Sequence, residues 1–515
     1  MSQRFPGRRL SLPRLALLLL VLAAVGYGGV FGVRAFHDGR NAAASDPWFG
    51  AYVDVTASPT FRFENPDADT GHHVVLSFVV ARSPDSCEAS WGTYHSLSEA
   101  HTAVELDRRV ARLRQFGGEV VISFGGQANS ELALACTTDE LVEQYREVID
   151  RYEPAALDFD IEGEALADVD SRHRRIAALA ELQSADDGDL PVWLTLPVAR
   201  NGLTPDGVAV VREFLDAGVR VAGVNAMTMN FGDLSGDESL ASPIIAALEA
   251  THRQLRAIHH DAGAPVGDRT LWRRLGATPM IGRNDVASEV FTLDDARELH
   301  RFAHEVGLGR LSVWSANRDR SCAAAYADLT VVSESCSGVD QGQESFRAIL
   351  AADFIGTPSG GHVKGADPTP LAPEDIADDP ATSPYPIWDS AASYPADFRV
   401  VWRGHVYTAR WWNSGAQPDD PALTGDSAPW QLIGPVLEGE SPMEVPSLPP
   451  DFYPAWDAQR QYDEGDRVMH EGVAFEAQWW TLGDSPAAGQ ADPGASPWRA
   501  LRHQEIEQLL TTVNH

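Results

Sequence analysis

The sequence predicts an α/β fold in which a (β/α)8 barrel is followed by two small all-β modules. Between about residues 46 and 350, short β-rich runs alternate with helical patterns, and farther along an aromatic pattern occurs twice. Eight strands with intervening helices over about 300 residues are typical of a (β/α)8, or TIM, barrel. A doubly wound sheet is the alternative, but it requires a nucleotide-type glycine loop, and none follows the first strand.

The candidate strands of the barrel are short and mostly apolar: Phe49–Val53, Val74–Val80, Val120–Ser123, Ala156–Glu162, Val192–Pro197, Val221–Met229, Thr278–Ile281 and Leu311–Trp314. The segments between them have helical periodicity, for example Glu99–Phe116, Thr138–Tyr152, Ser171–Gln183, Thr204–Ala217 and Thr292–Val306. Because the carboxyl ends of barrel strands meet on one face, we expect the active site there.

Length and composition indicate how the chain is divided into domains and linkers. At 515 residues it exceeds one ordinary core, so several domains are expected. We assign the segments as follows: 1–45 to a cytoplasmic tail, an N-terminal signal anchor and a stalk, 46–350 to the barrel, 351–384 to a linker rich in Pro and Gly, 385–437 to the first module, 438–450 to a second linker, and 451–503 to the second module.

The two modules are related by a repeat in which each position recurs 68 residues later. The pairs are Trp388 and Trp456, Tyr394 and Tyr462, Gly404 and Gly472, Tyr407 and Phe475, Trp411 and Trp479, Trp412 and Trp480, Gly415 and Gly483, Pro418 and Pro486, and Trp430 and Trp498. A constant offset across so many positions is a strong repeat signal. A unit of about 45 residues is too short for a large core, so we expect a compact β module around a few aromatics.

Charge and the N-terminus bear on where the chain acts. The net charge of −34 argues against nucleic acid or an anionic membrane surface as a partner. Four arginines precede an uncharged run from Leu15 to Val33, which is about long enough to span a bilayer. Such basic residues keep the N-terminus cytoplasmic and export the remainder. A cleaved signal peptide, with Ala42-Ala43-Ala44 as the cleavage region, is the alternative, and both give an extracellular or cell-surface protein.

The four cysteines agree with export. Cys87, Cys136, Cys322 and Cys336 include no CxxC pair, so a zinc knuckle or a thioredoxin-like site is not expected. In an oxidising compartment we expect two disulfides. A bond from Cys322 to Cys336 closes a short loop and leaves Cys87 with Cys136, although the sequence alone allows three pairings.

The stretch from Leu157 to Gly163 alternates apolar residues with acids. On a strand, Asp158, Asp160 and Glu162 share one face, with neighbouring acids roughly 6.5–7 Å apart at the backbone. Carboxylates this close repel one another, and burial raises the cost of ionising all three, so folding alone gives no reason for them. An exposed polar strand is the alternative, but the apolar flanks are typical of a buried parallel strand. One acid held protonated beside ionised neighbours is how enzymes cleave glycosidic bonds.

These residues resemble the signature of glycoside hydrolase family 18, Asp-x-x-Asp-x-Asp-x-Glu, at positions 155 to 162. Three of its four acids match, and Ala155 stands in place of the first. Ser123-Phe124-Gly125-Gly126 resembles the family's Ser-x-Gly-Gly on the third strand, and Met227-Thr228-Met229-Asn230 resembles its Met-x-Tyr-Asp on the sixth. Trp314 resembles its floor tryptophan on the eighth. The resemblance covers roughly residues 46 to 345.

The resemblance implies a retaining mechanism assisted by the substrate. Glu162 is then the general acid that protonates the glycosidic oxygen, and later the base that activates water. The N-acetyl oxygen of the sugar attacks its own anomeric carbon and gives an oxazolinium ion. Asp160 orients and stabilises that acetamide and shares a proton with Asp158. The reading from the residues alone also requires acids of unlike pKa on one face.

The substrate-binding candidates are Trp314, Met227, Asn230, Met229, Phe78 and Gly126. Trp314 offers an indole face beneath a pyranose, while Phe78 and Met227 fit either core packing or a cleft wall, and Gly126 also fits a tight turn. Met229 replaces a tyrosine that hydrogen-bonds the acetamide in the family, and Asn230 replaces an aspartate. Loss of those contacts costs ~10²-fold in rate if nothing compensates.

Both repeats resemble chitin-binding modules of carbohydrate-binding families 5 and 12. Ala409-Arg410-Trp411-Trp412 and Ala477-Gln478-Trp479-Trp480 are similar to their Ala-Lys-Trp-Trp motif. The chitin-binding candidates are Trp388, Tyr407, Trp411, Trp412, Trp456, Phe475, Trp479 and Trp480. Some of these aromatics must form the module core. Because adjacent residues on a strand face opposite ways, we expect one tryptophan of each pair to pack and its neighbour to be exposed.

The sequence therefore predicts a chitinase-like hydrolase of β-1,4-linked N-acetylglucosamine polymers, acting as a monomer on chitin without a cofactor or metal. A catalytically silent chitin lectin is one alternative. An endo-β-N-acetylglucosaminidase acting on peptidoglycan or N-glycans is another.

Overall fold

The structure is a computed structural model that describes residues 46–65, 71–185, 190–232, 234, 238–323, 331–359, 377–423, 427–442, 448–486, 496–501, 505–506 and 508–510. These residues form two compact units. One holds the described residues up to Val104 and those from Leu113 to Ser359, and the other holds Glu105–Arg112 and those from 377 onward. The proposed anchor, Leu15 to Val33, lies outside the described residues. Within the described part of the chain, each helix is too short or too polar to cross a bilayer.

In the described part of the first unit, eight parallel strands close a barrel. They are β1 (Trp48–Asp54), β2 (His73–Ser83), β3 (Val120–Gly125), β4 (Ala156–Asp160), β5 (Val192–Ala199), β6 (Val221–Met227), β7 (Leu275–Thr278) and β8 (Arg310–Leu311). Each strand pairs with the next, and β8 pairs with β1. The predicted (β/α)8 barrel is confirmed.

The seventh and eighth strands lie earlier than their predicted ranges. Strand β7 spans Leu275–Thr278, whereas the sequence predicted a strand over Thr278–Ile281. The following Pro279 has no N–H to donate to a ladder, so regular pairing stops there. Beyond β8, Trp314 forms only an isolated bridge with Met280.

The α-helices among the described residues are Leu97–Ala103, Leu106–Gln115, Leu132–Ala135, Thr138–Tyr152, Gly163–Ala167, Val169–Ala185, Pro205–Asp216, Ala241–Asp261, Asp268–Arg273, Leu293–Val306 and Phe346–Ala351. Two of the long ones begin at capping boxes, in which Thr137 pairs with Glu140 and Thr292 with Asp295. The predicted helix Glu99–Phe116 is divided in two, because Glu105 adopts a left-handed conformation (φ 53°).

The first unit also contains shorter strands: Ser86–Trp91, His95–Ser96, Gly202–Leu203, Gly282–Arg283 and Val290–Phe291. Both expected disulfides form. Cys87–Cys136 joins the strand Ser86–Trp91 to the end of a short helix, and Cys322–Cys336 closes a loop after β8.

In the second unit, two β modules have strands in matching places. The first contains Ser393–Tyr394, Arg399–Trp402, His405–Ala409, Asn413–Ser414 and Trp430–Pro435; the second contains Gln461–Tyr462, Arg467–His470, Val473–Ala477, Thr481–Leu482 and Trp498–Ala500. Every strand of the second module begins 68 residues after its counterpart. The cores match in the same way, with Tyr394, Val400, Tyr407, Ala409 and Trp430 in one and Tyr462, Val468, Phe475, Ala477 and Trp498 in the other.

Three expected boundaries differ from the structure. The barrel continues past residue 350, since Ile355 bridges to Trp48 and the Ser359 hydroxyl donates to Glu119. The first module starts before residue 385, because Asp378 accepts hydrogen bonds from the backbone of Arg403 and Gly404. In the expected second linker, Leu448 is buried in the apolar cluster of the second module.

Candidate active site

Strand β4 sends its acids to the inside of the barrel and its large apolar residues to the outside. Phe159 stacks on Phe124 and meets Tyr145, while Asp158 and Asp160 face inward and are buried. The alternation expected from the sequence is thus the alternation of the strand. Glu162 follows the end of β4, half-buried, at the N-cap of the helix Gly163–Ala167.

Asp158 lies at the centre of a hydrogen-bond network formed by four other strands. Its Oδ2 accepts from the Tyr52 hydroxyl at 2.8 Å and from the Ser123 hydroxyl at 2.8 Å. Its Oδ1 accepts from the Thr195 hydroxyl at 2.7 Å and from the Arg310 guanidinium at 2.6 Å. Asp158 and Arg310 both have fully buried side chains. Four donors, one of them cationic, therefore fix the position of this carboxylate.

Asp160 has the opposite environment. Its Oδ1 is buried without a hydrogen-bond partner, and among the described residues no hydrogen bond joins it to Asp158. Burial raises the pKa of Asp160 well above its ordinary value, and the charges of Glu162 and Asp158 raise it further, against the opposing effect of Arg310. Asp160 is therefore the neutral acid of the group.

Glu162 also holds its proton more firmly than an ordinary glutamate. Burial raises its pKa, and the negative charge of Asp285 adds to this. Asp285 is fixed by Asn230, whose side-chain amide donates to Asp285 Oδ2 at 2.9 Å. The carbonyl oxygen of the same amide accepts from the Val286 backbone at 3.2 Å. Asn230 thus positions a second carboxylate near Glu162.

An aromatic floor lies beside the acids. Phe78 and Trp314 stack with ring centroids 5.4 Å apart, and Tyr52 meets Trp314 at 6.1 Å. Both Phe78 and Trp314 are half-buried. Phe78 follows the cis peptide bond Ser77–Phe78, and Trp314 precedes the cis peptide bond Trp314–Ser315. The floor therefore has one packed side and one accessible side.

Gly125 and Gly126 allow the chain to pass close to this floor. Both have left-handed backbones, with φ of 101° and 82°. A Cβ on Gly125 would lie 2.2 Å from the Asp160 carbonyl oxygen, and a Cβ on Gly126 would lie 2.8 Å from the Phe78 ring. The glycines serve close packing around Asp160 and Phe78.

The sixth-strand candidates are unequally exposed. Met227 ends β6 and is buried, Met229 is half-buried, and Asn230 is exposed with a left-handed backbone (φ 55°). Nearby, the buried Glu289 accepts from the Gly232 backbone at 2.7 Å, and burial raises its pKa. Glu289 therefore fixes the loop that carries Met229 and Asn230 through hydrogen bonds from its backbone.

Sequence reasoning missed the partners of Asp158. Tyr52, Thr195 and Arg310 come from β1, β5 and β8, and each is directly followed by an apolar residue. A signal for them does exist, because an arginine at an inward position of a barrel strand requires a buried counter-charge. Asp158 is that counter-charge.

In the modules, the paired tryptophans follow their strands instead of lying on them. The strands end at Ala409 and Ala477, so the expected strict alternation does not apply. Trp479 and Trp480 are both exposed, at 43% and 56%. In the first module Trp411 is 40% exposed and Trp412 is half-buried.

Two residues expected to bind chitin belong to the module cores. Tyr407 and Phe475 are 8% and 2% exposed and pack against the core tryptophans Trp430 and Trp498. A buried ring cannot reach the surface of a polymer, so this part of the prediction is corrected. Trp388 and Trp456 are half-buried beside the same cores.

Within the described residues, no three His, Cys, Asp or Glu side chains are grouped in a way that could hold a metal ion.

Comparison with known proteins agrees with these features. Residues 455–499 match the model of carbohydrate-binding module family 5/12. The chain is 34% identical over 259 residues to a probable bifunctional chitinase/lysozyme of Escherichia coli (strain K12), covering 48% of this chain and 28% of the relative. It is 32% identical over 285 residues to endochitinase 11 of Metarhizium anisopliae, covering 53% of this chain and 52% of the relative. The chain thus spans about half or less of the length of these relatives.

A solved structure extends the comparison to the whole barrel. The catalytic domain of a hyperthermophilic chitinase from Pyrococcus furiosus is 28% identical, with a TM-score of 0.51. The alignment covers 62% of this chain and 99% of that domain. The barrel of this chain is therefore a homologue of the chitinase catalytic domains of glycoside hydrolase family 18, and the second unit contains a carbohydrate-binding module of family 5/12.

Proposed function

We propose that this chain is a chitinase, which hydrolyses β-1,4-linked N-acetylglucosamine polymers with retention of configuration and with assistance from the substrate. The observation that carries the proposal is a pair of neighbouring acids, Asp160 and Glu162, whose pKa values are both raised, primarily by burial. They lie at the carboxyl end of β4 beside the stacked Phe78 and Trp314. This is the end of a (β/α)8 barrel at which active sites lie.

In the first step, protonated Glu162 gives its proton to the glycosidic oxygen as the bond to the anomeric carbon breaks. The acetamide oxygen of the same sugar forms a bond to that carbon, and an oxazolinium ion results. Neutral Asp160 orients the acetamide at the place where the positive charge develops. Burial suits Glu162 to this step, because a raised pKa keeps a general acid protonated toward neutral pH.

In the second step, Glu162 is a carboxylate and removes a proton from water while the water oxygen attacks the anomeric carbon. The bond from the acetamide oxygen to the anomeric carbon breaks, and Glu162 regains its proton. Two displacements on opposite faces of the sugar give net retention. The half-buried face of Trp314 supplies an apolar platform for the ring.

The second part of the proposal concerns the two modules, which bind the chain to insoluble polymer. Trp411, Trp479 and Trp480 give each module exposed aromatic surface around a small packed core. Exposed aromatic patches on small domains mark binding surfaces. We assign both modules to chitin binding.

Export is part of the proposal. The basic N-terminus with its uncharged run, Leu15 to Val33, supports it, as do the disulfides Cys87–Cys136 and Cys322–Cys336. The chain then acts outside the cytoplasm, anchored by its N-terminal segment or released after cleavage.

The test is hydrolysis of N-acetylglucosamine oligomers by the wild type and by Glu162→Gln. We expect the substitution to lower kcat by roughly 10²–10⁴-fold, because it removes the proton that Glu162 donates. Glu164→Gln is the matched control, since Glu164 is exposed two residues away in the first turn of the same helix, and it should be neutral. Equal rates for wild type and Glu162→Gln would exclude this mechanism.

The stereochemistry of the product provides a second readout. Proton NMR of the products in the first minutes of reaction should show the β-anomer in excess before mutarotation. An initial excess of the α-anomer would contradict the substrate-assisted route.

A further inference from the structure

Two loops at the carboxyl end of the barrel are connected to each other. The β6 loop comprises residues 228–232, directly after β6, and the β7 loop comprises residues 279–291, directly after β7. The β7 loop is a hairpin closed by the paired strands Gly282–Arg283 and Val290–Phe291. It therefore has a backbone ladder of its own. Residues 228–232 contain no strand or helix, so the conformation of the β6 loop depends on the groups that hold it.

The buried connection between the loops is the carboxylate of Glu289. Glu289 is 0% exposed, and its Oε1 accepts from the Gly232 backbone at 2.7 Å. Asn230 and Gly232 have left-handed backbones, with φ of 55° and 90°, and such turns direct neighbouring N–H groups toward one anion. Burial raises the pKa of Glu289, and the N–H groups of residues 230–232 act against this effect. The β6 loop is thus folded around a carboxylate that the β7 loop supplies.

A second connection lies at the surface, where Asn230 joins the same two loops. Its side-chain amide donates to Asp285 Oδ2 at 2.9 Å, and its side-chain oxygen accepts from the Val286 backbone at 3.2 Å. Its backbone N–H donates to the side-chain oxygen of the buried Asn284 at 3.4 Å. The left-handed backbone of Asn230 costs free energy unless its surroundings hold it. The contact between Asn230 and Asp285 therefore depends on whatever fixes the backbone of the β6 loop.

We propose that Glu289 is a positioning residue, which folds the β6 loop so that Asn230 holds Asp285 near the catalytic acid Glu162. The proposal deepens the proposed function and rests on it. Glu289 acts through other groups: its carboxylate fixes the loop backbone, the backbone fixes the amide of Asn230, and the amide fixes Asp285. The charge of Asp285 then adds to burial in raising the pKa of Glu162.

Other charged groups also face this part of the site. They are Asp160 on β4, which faces Glu162, Arg200 after β5, which faces Glu289, and Arg318 and Glu334 after β8, which face Asp285. Arg200 is in turn paired with Glu238 at 2.8 Å. All of these groups are retained in each variant below. A change in the pKa of Glu162 in those variants therefore reports on Asp285 and Glu289.

The test compares the pH–rate profiles of the wild type and Glu289→Gln on short oligomers. Glutamine keeps the volume of the side chain, but its NH2 group presents a donor where the carboxylate presents an acceptor. The β6 loop then loses its anchor, Asp285 is no longer held, and the pKa of Glu162 falls. Because Glu162 acts in its protonated form, the alkaline limb of kcat/KM should move to lower pH by roughly half a unit. The value of kcat/KM at the optimum should fall about tenfold, because the loop is misplaced.

A double-mutant cycle with Asp285→Asn separates position from charge. If Glu289 acts by placing Asp285, then Glu289→Gln should shift the limb no further once Asp285 is uncharged. Ser288→Ala is the matched control, since Ser288 is exposed on the same hairpin, and it should leave the profile unchanged. A Glu289 that is only structural would lower the rate or the stability without moving the limb. A shift of equal size in both backgrounds would mean that Glu289 acts through its own charge, and either result would overturn the proposal.

Asn230→Ala provides a second variant in case Glu289→Gln does not fold. It removes the surface connection to Asp285 at an exposed position, so the alkaline limb should again move to lower pH. A limb that stays in place would overturn the proposal, because Asn230 is the link between the loop and Asp285.

A titration of the Glu162 carboxyl carbon by ¹³C NMR reports the same change without catalysis. The signal is assigned with Glu162→Gln, and its pKa should be lower in Glu289→Gln, or in Asn230→Ala, than in the wild type. Equal pKa values in variant and wild type would contradict the positioning role. A lowered pKa in a chain that hydrolyses no oligomer would remove the proposed function and leave the positioning role of Glu289 standing.

Discussion

Asp285 has a specific effect on the acid Glu162. Its negative charge adds to burial in raising the pKa of Glu162, and Asn230 fixes it with a hydrogen bond of 2.9 Å. The family motif has an aspartate where this chain has Asn230. In this chain the carboxylate at that side of the site comes from the loop after β7, and the amide of Asn230 positions it.

Asp285→Asn should therefore lower the pKa of Glu162. Because Glu162 must be protonated to act as an acid, activity falls as the pH rises through its pKa. A lower pKa moves this alkaline limb of kcat/KM to lower pH, whereas the maximal rate should change little. The measurement is the pH dependence of kcat/KM, with Asp294→Asn as the control, since Asp294 is 94% exposed and its charge is paired with Arg297. An alkaline limb that does not move would show that Asp285 has no influence on Glu162.

Single residues also show where sequence reasoning succeeds and where it stops. Asp158, Asp160 and Glu162 could be predicted because local alternation on one strand is enough to bring them together. Arg310 and Tyr52 were missed, since each contributes one side chain from a strand more than a hundred residues away in the chain. An inward arginine indicates that a counter-charge exists but does not say which residue provides it. Their meeting depends on the closure of the barrel, which no local pattern encodes.

At the scale of elements, the junction between β3 and β4 fixes Asp160. Gly125 has a φ of 101°, and its Cα hydrogen faces the Asp160 carbonyl so closely that a Cβ would lie 2.2 Å from that oxygen. The Gly126 backbone also donates to the same carbonyl at 3.1 Å. Strands β3 and β4 are therefore in close contact at the end of β4, where Asp160 lies.

Gly125→Ala should destabilise the protein by at least about 2 kcal/mol, from backbone strain and from the contact with Asp160. Gly117→Ala is a matched control, because Gly117 also has a positive φ of 74° but has no atom within 4 Å of its Cβ position. That variant should lose only about 1 kcal/mol. Denaturant unfolding measures both, and kcat on short oligomers should fall only in Gly125→Ala. Equal losses of stability in the two variants would mean that the contact with Asp160 is unimportant.

The modules show a limit of pattern reasoning at the same scale. The offset of 68 residues was enough to place every strand of the second module from the first. The exposure of the tryptophan pairs was not predictable from alternation, because Ala409 and Ala477 end their strands just before them. Where a strand stops depends on its partners, and the alternation of side chains stops with it.

For the whole molecule, fold class was easier to predict than boundaries. Apolar runs of strand length with helical segments between them are typical of a barrel. An error of a few residues in the ends of each predicted strand does not change the predicted fold class. The limits of the domains depend on individual contacts, such as the bridge between Trp48 and Ile355, which extends the barrel past its expected end. Such contacts join residues about three hundred positions apart, so composition does not reveal them.

Two modules on one chain should bind an insoluble polymer more strongly than either alone, because binding of the first raises the effective concentration of the second. Replacing Trp479 and Trp480 by Ala should weaken retention on insoluble chitin by tenfold or more, and replacing Trp411 and Trp412 as well should weaken it by roughly the product of the two losses. Rates on short soluble oligomers should be unchanged, since these substrates need only the barrel. Depletion from solution by chitin measures the first effect, and oligomer hydrolysis by the same variants measures the second. If replacing both tryptophan pairs weakens retention on chitin no more than replacing Trp479 and Trp480 alone, the two modules do not bind the polymer at the same time. Trp411 and Trp412 would then have another role.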